Sequence, residues 1–282
     1  MPSLKDIRTK IASVKSTKRI MQAMKMIATV KYAKTQVMLN SFRSYFMSYK
    51  EIISFVSKST KDSPSRFFND LEGNKKSLLV IISSDRGLCG SYNSNLFRLI
   101  DRYEFSEKII EKFFIGKKGQ DYFKENSFGD QTFSLDEKNY KILSENISNK
   151  ILPYFLNGEF DQIYVAYNKF VSSISQLPTI TKVLPIELED HEDAKKDLNI
   201  LIEPDINSFI EIVVPKFFEL TISSLLLEAI TSEHAARTAA MDNATRNADD
   251  IIKETTMLFN KTRQADITKE LMDIVNGSEA MK

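Results

Sequence analysis

Leu4-Lys5-Asp6-Ile7-Arg8-Thr9-Lys10-Ile11-Ala12-Ser13-Val14 opens a stretch, residues 3–63, that contains neither glycine nor proline. One row of residues seven apart runs through it as Leu4, Ile11, Lys18, Lys25, Tyr32, Leu39, Phe46, Ile53. Its companion row is Ile7, Val14, Met21, Ala28, Thr35, Phe42, Tyr49, Val56. All but Lys18, Lys25 and Thr35 are apolar or aromatic, which is the a/d seam of a coiled coil. A helix with such a stripe needs a partner. At about 1.5 Å per residue it extends on the order of 90 Å, well beyond the width of a small domain, so it is expected to project from any globular part.

The partner is sought at the other end. Residues 216–276 also lack glycine and proline, and there Ile230, Arg237, Ala244, Ile251, Leu258, Ala265, Met272 run beside Leu227, His234, Met241, Ala248. The alanines favour helix and let two backbones approach closely. The expected seam therefore sets Ile7, Ile11, Val14 and Met21 of the first helix against a second helix that contributes Ile251 and Leu258.

Between the two stretches the punctuation changes, with seven of the eight glycines falling from Gly73 to Gly158. Ser77-Leu78-Leu79-Val80-Ile81-Ile82 has the continuous apolar character of a strand buried on both faces, and it runs into the turn-prone Asp85-Arg86-Gly87-Leu88-Cys89-Gly90. Helix is expected from Asn95 to Tyr103 and from Tyr140 to Phe155. Strands are expected at Lys112–Ile115, Asp161–Tyr167 and Thr179–Leu188, the last interrupted by Pro185 and hence at an edge. The fold class is α/β: a long antiparallel coiled coil of N- and C-terminal helices plus a small central Rossmann-like α/β domain. The boundaries are 1–60, 74–190 and 206–282.

The 282 residues carry a net charge of +1, which excludes wholesale nucleic-acid binding, and a single cysteine, Cys89, which excludes an internal disulfide framework. The start has neither the apolar core of a signal peptide nor the arginine-rich lead of a transit peptide, so a bacterial cytoplasmic product is expected. No apolar run is long enough to span a bilayer. Charge is distributed unevenly: residues 1–40 hold nine basic side chains against Asp6 alone, whereas residues 228–282 hold seven basic and ten acidic ones. Part of the basic stripe can face the more acidic helix, and the surplus calls for an acidic protein surface elsewhere.

Three motifs bear on chemistry. Gly87-x-x-Gly90 lacks the glycine spacing of a dinucleotide fingerprint, and no P-loop occurs, so a tight strand-to-helix connection is the better reading. Cys89 has no neighbouring histidine to activate it, since His191 and His234 are distant in sequence, and it is expected to be a small buried side chain. Ser232-Glu233-His234 does not meet the two-histidine spacing of a metalloprotease helix. No catalytic residue, cofactor site or metal site is expected.

Three separated segments carry a specific likeness. Lys5-Asp6-Ile7-Arg8 to Thr17 with Ala23-Met24-Lys25-Met26-Ile27-Ala28, Ser84-Asp85-Arg86-Gly87-Leu88-Cys89-Gly90, and Ser232-Glu233-His234-Ala235-Ala236-Arg237 through Asn260-Lys261-Thr262-Arg263-Gln264-Ala265 to Leu271 resemble the N-terminal helix, central signature and C-terminal helix of F-type ATP synthase gamma subunits. The resemblance implies a non-catalytic rotor shaft, peripheral on the cytoplasmic face of the bacterial inner membrane. Its implied partners are the alpha and beta subunits, the epsilon subunit and the c-ring, with no nucleic acid and no cofactor. It further implies rotor–stator contacts at Met24, Lys25, Arg237, Arg263, Gln264, Thr268 and Glu270. Lys25 stands where some members carry an acid, so charge pairing there is expected to differ. Two other classes stay open on the residues alone: a small Rossmann-like enzyme with dimerisation helices, which would need a convergent acid, base or phosphate cradle, and a coiled-coil adaptor, which salt-sensitive DNA retention would favour.

Overall fold

The computed structural model describes residues 3–59, 66–68, 76–103, 109–125, 127–130, 132–186 and 206–279. The boundaries expected at 60, 74 and 190, the strand end at 187–188 and His191 lie outside these residues. Among the described residues the elements are, in order, α1 (Leu4–Ser59), β1 (Lys76–Ile82), α2 (Tyr92–Arg102), β2 (Ile109–Ile115), α3 (Lys117–Phe123), a 3-10 turn (Phe128–Asp130), α4 (Tyr140–Leu156), β3 (Gln162–Phe170), β4 (Gln176–Leu184) and α5 (Ile206–Glu279). Helix α1 is 56 residues long and α5 is 74. Helix α5 begins before Pro215 and carries it inside.

The chain divides into two units: residues 1–28 with 237–282, and residues 29–236. Both long helices contribute to each.

The second unit is built on a four-stranded sheet of order β2-β1-β3-β4. Strand β1 pairs in parallel with β2 and β3, and β4 runs antiparallel along β3 at the edge. Strand β1 is buried on both faces, and its alternate side chains enter different cores. Leu78, Val80 and Ile82 meet Ile147, Ile151 and Phe155 of α4 together with Ile53 of α1 and Phe218 and Ile222 of α5. Leu79 and Ile81 meet Leu96, Phe97 and Ile100 of α2 on the opposite face. The sheet is thus sandwiched between α2 on one side and α4 with the long helices on the other. This burial is the main source of stability in the unit.

Gly116 shows how closely β1 and β2 finish together. Its φ is +83°, and a Cβ there would stand 2.1 Å from the Ser83 carbonyl oxygen. Only glycine fits.

Among its described residues the first unit has no sheet. It consists of the N-terminal part of α1 and the C-terminal part of α5. Between Leu4 and Ala28 the side chains withdrawn from solvent are Leu4, Ile7, Ile11, Val14, Lys18, Met21, Met24, Lys25 and Ala28. On α5 the shielded row runs Met241, Thr245, Ala248, Ile252, Thr255, Phe259, Thr262. This corrects the expected seam: Ile251 is 42% exposed and Leu258 47%. The row through Met241 and Ala248 is kept, but its companion lies four residues on rather than three. Ile251-Ile252 and Leu258-Phe259 are both apolar pairs, so hydrophobic pattern alone could not choose between the two sides of the row.

Candidate functional site

In the first unit the two lysines that interrupt the α1 seam are matched from α5. Lys18 Nζ donates to Asp249 Oδ1, and Lys25 Nζ donates to Asp242 Oδ1. The acids, like the lysines, are seven residues apart, and their reversed order makes the helices antiparallel. Asp242 Oδ2 also accepts from Arg246 at 2.7 Å, one turn along the same helix. The Lys25 hydrogen bond outweighs burial and, with Arg246, holds the Asp242 carboxyl below its ordinary range. Part of the basic stripe is therefore neutralised within the chain. The matching was legible in principle, because Asp242 and Asp249 repeat with the same period as Lys18 and Lys25.

The residues assigned by resemblance fall into two sets within this unit. Met24 and Lys25 on α1 and Arg237 on α5 are half-buried. Arg263, Gln264, Thr268 and Glu270 lie on the distal turns of α5, where every residue from 263 to 278 is exposed. The Thr268 hydroxyl donates to the Gln264 carbonyl at 2.9 Å, one turn back. Among and just beyond them Ile267, Leu271, Met272, Ile274 and Val275 are 49% to 68% exposed, exposed apolar side chains of the kind that mark an interaction surface. The sets are separated by about 30 Å of helix, so the structure does not gather these residues into one site.

In the second unit the signature turn after β1 is held by its own side chains. The Ser84 amide donates to Asn93 Oδ1 at 3.1 Å, Asn93 Nδ2 donates to Ser84 Oγ at 2.7 Å, and Ser84 Oγ donates to the Arg86 carbonyl at 2.7 Å. The Asp85 carboxylate accepts from the amides of Lys117 and Leu135 and from the Ser134 hydroxyl. Cys89 is buried beside Tyr92 and Ala236. In open α/β sheets a ligand normally sits beyond the carboxyl ends of the parallel strands. Here that end grips the long helices instead: Tyr92 Oη donates to the Ala229 carbonyl of α5 at 3.0 Å, and Asn168 of β3 fixes Tyr92 by donating to its carbonyl at 3.1 Å. Phe170, the last residue of β3, packs against Tyr32 of α1 with ring centroids 5.9 Å apart.

A third grip comes from the turn before α4. Buried Glu137 reaches both long helices, with Oε1 2.8 Å from Lys31 Nζ of α1 and Oε2 3.9 Å from His234 Nε2 of α5. Burial alone would raise the Glu137 pKa, but the hydrogen bond from Lys31, a backbone hydrogen bond and the charges of Lys31 and His234 bring it below the ordinary value. Farther along, Arg43 of α1 and Glu228 of α5 pair at 2.9 Å. Tyr167 lies against Glu228, and burial first, then the Glu228 charge, pushes its hydroxyl up to about 12. No sequence signal marked Glu137, which lies in an irregular segment without periodicity.

Two long helices pack against a small α/β unit, and the three signature segments fall in α1, in the turn after β1 and in α5. A family model described as ATP synthase matches residues 3–281. The chain is similar, at 38% identity over 294 residues and across the whole of both sequences, to the ATP synthase gamma chain of Nitratidesulfovibrio vulgaris strain Hildenborough. The chain belongs to the ATP synthase gamma chain family. The gamma chain of Bdellovibrio bacteriovorus is 35% identical over 295 residues, again across both full sequences. Among solved structures, the fold is similar to a chain of the Euglena gracilis mitochondrial ATP synthase OSCP/F1/c-ring assembly in rotational state 3. The TM-score is 0.65, with 99% of this chain and 94% of that chain covered at 20% identity. A second Euglena chain, from the rotor in rotational state 1, gives a TM-score of 0.61 over 94% of this chain. As a member of the ATP synthase gamma chain family, this chain is a subunit of an ATP synthase complex. Among its described residues no helix is long and apolar enough to cross a membrane, and no group of acids, histidines and cysteines is disposed to hold a metal.

Proposed function

We propose that this chain is the central rotor shaft of an F-type proton-translocating ATP synthase, a non-catalytic subunit that couples rotation of a c-ring to conformational cycling of catalytic beta subunits. The membership of the whole chain in the gamma chain family carries this reading. The helix pair of residues 1–60 and 206–282 serves as the shaft inside a ring of alpha and beta subunits. The α/β domain of residues 74–190 rests against the c-ring and the epsilon subunit, on the cytoplasmic face of the bacterial inner membrane. The exposed, half-apolar distal turns of α5 suit a helix that is covered by the ring rather than by its own partner. Met24, Lys25, Arg237, Arg263, Gln264, Thr268 and Glu270 are the contacts with that ring. They are donors, acceptors and one thioether on long helices, which suits contact rather than chemistry.

The test is to rebuild the complex with Arg237→Ala and Gln264→Ala together, then measure ATP hydrolysis alongside proton pumping in vesicles. Pumping is expected to fall more than hydrolysis, with the complex still assembled. Equal hydrolysis and pumping in both forms would remove these side chains from the coupling contact. Failure of the unaltered chain to assemble with alpha and beta subunits would remove the rotor assignment itself.

A further inference from the structure

Three segments of the α/β layer converge on the long helices within a few residues of where the second unit ends, at Thr29 on α1 and Ala236 on α5. Phe170 meets Tyr32, Tyr92 holds Ala229, and Glu137 spans Lys31 and His234. The large apolar core lies elsewhere, around Ile53, Val56, Phe217 and Phe218, so at this end the sheet layer is joined to the helices mainly by small apolar clusters and polar ties. Glu137 differs from the other two ties because one carboxylate engages both helices.

A buried carboxylate is an expensive way to hold two helices, since apolar residues of similar volume commonly do so at lower cost in solvation. What it supplies is specificity of position. Residues one heptad away from its partners are Met24 and Met38 on α1 and Leu227 and Met241 on α5, none of which can neutralise it. Displacement of α1 past the sheet layer would take Lys31 away from the buried carboxylate, and displacement of α5 would withdraw the His234 ring from it.

We infer that Glu137, with Lys31 and His234, is a positioning clasp that locks both long helices to the α/β layer at the end of that unit, so that layer and helices turn together. The mechanical part rests on the rotor reading above; the clasp itself does not.

Two measurements separate them. The first is amide hydrogen exchange on the full isolated chain carrying Glu137→Gln. Exchange is expected to rise about tenfold or more at residues 29–36 and 229–236, as befits loss of a charge-assisted hydrogen bond between a buried carboxylate and a half-exposed lysine. Exchange in β1 is expected to be unchanged, which reports that the fold is intact. Lys31→Met, which removes the other partner and leaves the buried carboxylate without it, should have the same effect. Unchanged exchange in Glu137→Gln, or in Lys31→Met, would overturn the clasp. The second measurement is the angular fluctuation of a bead fixed to the α/β layer in the assembled complex, which should widen about twofold or more when one coupling contact is lost. An unaltered complex that does not rotate would count against the rotor reading and leave the exchange result standing. A rotating Glu137→Gln complex of unchanged stiffness would overturn the inference that the clasp makes layer and helices turn together.

Discussion

The two units of this chain use the same pair of helices and hold them in opposite ways. In residues 29–236 the helices lie against a sheet and a fourth helix, and aromatic and branched side chains such as Phe155, Phe218, Ile53 and Ile222 are fully withdrawn from water. Among the described residues of 1–28 with 237–282 they pack on each other, and the α5 side of the seam is made of Met241, Thr245, Ala248, Ile252, Thr255, Phe259 and Thr262. Such a narrow, partly polar seam buries little apolar area per residue, so its register depends on charge as much as on packing. Apolar burial thus carries more of the stability in the sheet unit, and charge more of the register in the helix pair.

This contrast can be broken most forcefully in the sheet unit. Phe155→Ala removes a fully buried ring from the core that joins α4 to β1, and a loss of about 3–5 kcal/mol is expected from denaturant unfolding. A loss under about 1 kcal/mol would mean that this core is not the main store of stability.

The next largest effect sharpens the seam. Ala248 is buried whereas Ile251 is substantially exposed, so Ala248→Asp should destabilise the helix pair by about 1–3 kcal/mol and Ile251→Asp by a few tenths. Exchange or proteolysis within residues 4–28 would read the difference. Equal effects would restore the row through Ile251 and Leu258.

Acid should loosen what the carboxylates hold. Glu137 and Asp242 both have depressed pKa values, from ordinary values of 4.5 and 3.8. For a depressed carboxyl the folded state binds its proton less readily than the unfolded chain, so its stabilisation is present above those ordinary values and is lost as pH falls through the lower folded ones. Melting temperature followed downward from pH 6 should decline across that window, and Glu137→Gln should flatten part of the decline. An identical profile for the variant would show that Glu137 contributes nothing to acid sensitivity.

The smallest effect belongs to the lysine ladder. Lys18 and Asp249 are both partly open to solvent, so Lys18→Met should change stability by less than about 1 kcal/mol, and the change should shrink as salt is raised. A larger, salt-insensitive loss would assign the Lys18 stem a packing role.

The sequence carried the long helices and the first strand with little ambiguity. Freedom from glycine and proline over residues 3–63, a heptad row and the run Leu78 to Ile82 each have one structural solution. The partner face of α5 was only half legible, because Ile251-Ile252 and Leu258-Phe259 offer two apolar faces and the choice is made by what lies opposite. Lys18 and Lys25 looked like defects in the seam until Asp249 and Asp242 were found across from them. Glu137 was invisible for a different reason. Its meaning depends on three elements meeting, and nothing in the local pattern of an irregular segment encodes a meeting with residues at 31 and 234.

The unbroken course of α5 from Ile206 to Glu279 also makes it an angular ruler. Each residue added or removed between Ala236 and Arg263 would turn everything beyond it by about 100° and shift it by about 1.5 Å, while leaving the clasped end where it was. A one-residue deletion there would aim Arg263, Gln264, Thr268 and Glu270 in a new direction without altering any of them. A seven-residue deletion would nearly preserve their heading and shorten their reach by about 10 Å. Length in this helix is therefore phase, and changes in it should be tolerated by the heptad rather than by the residue.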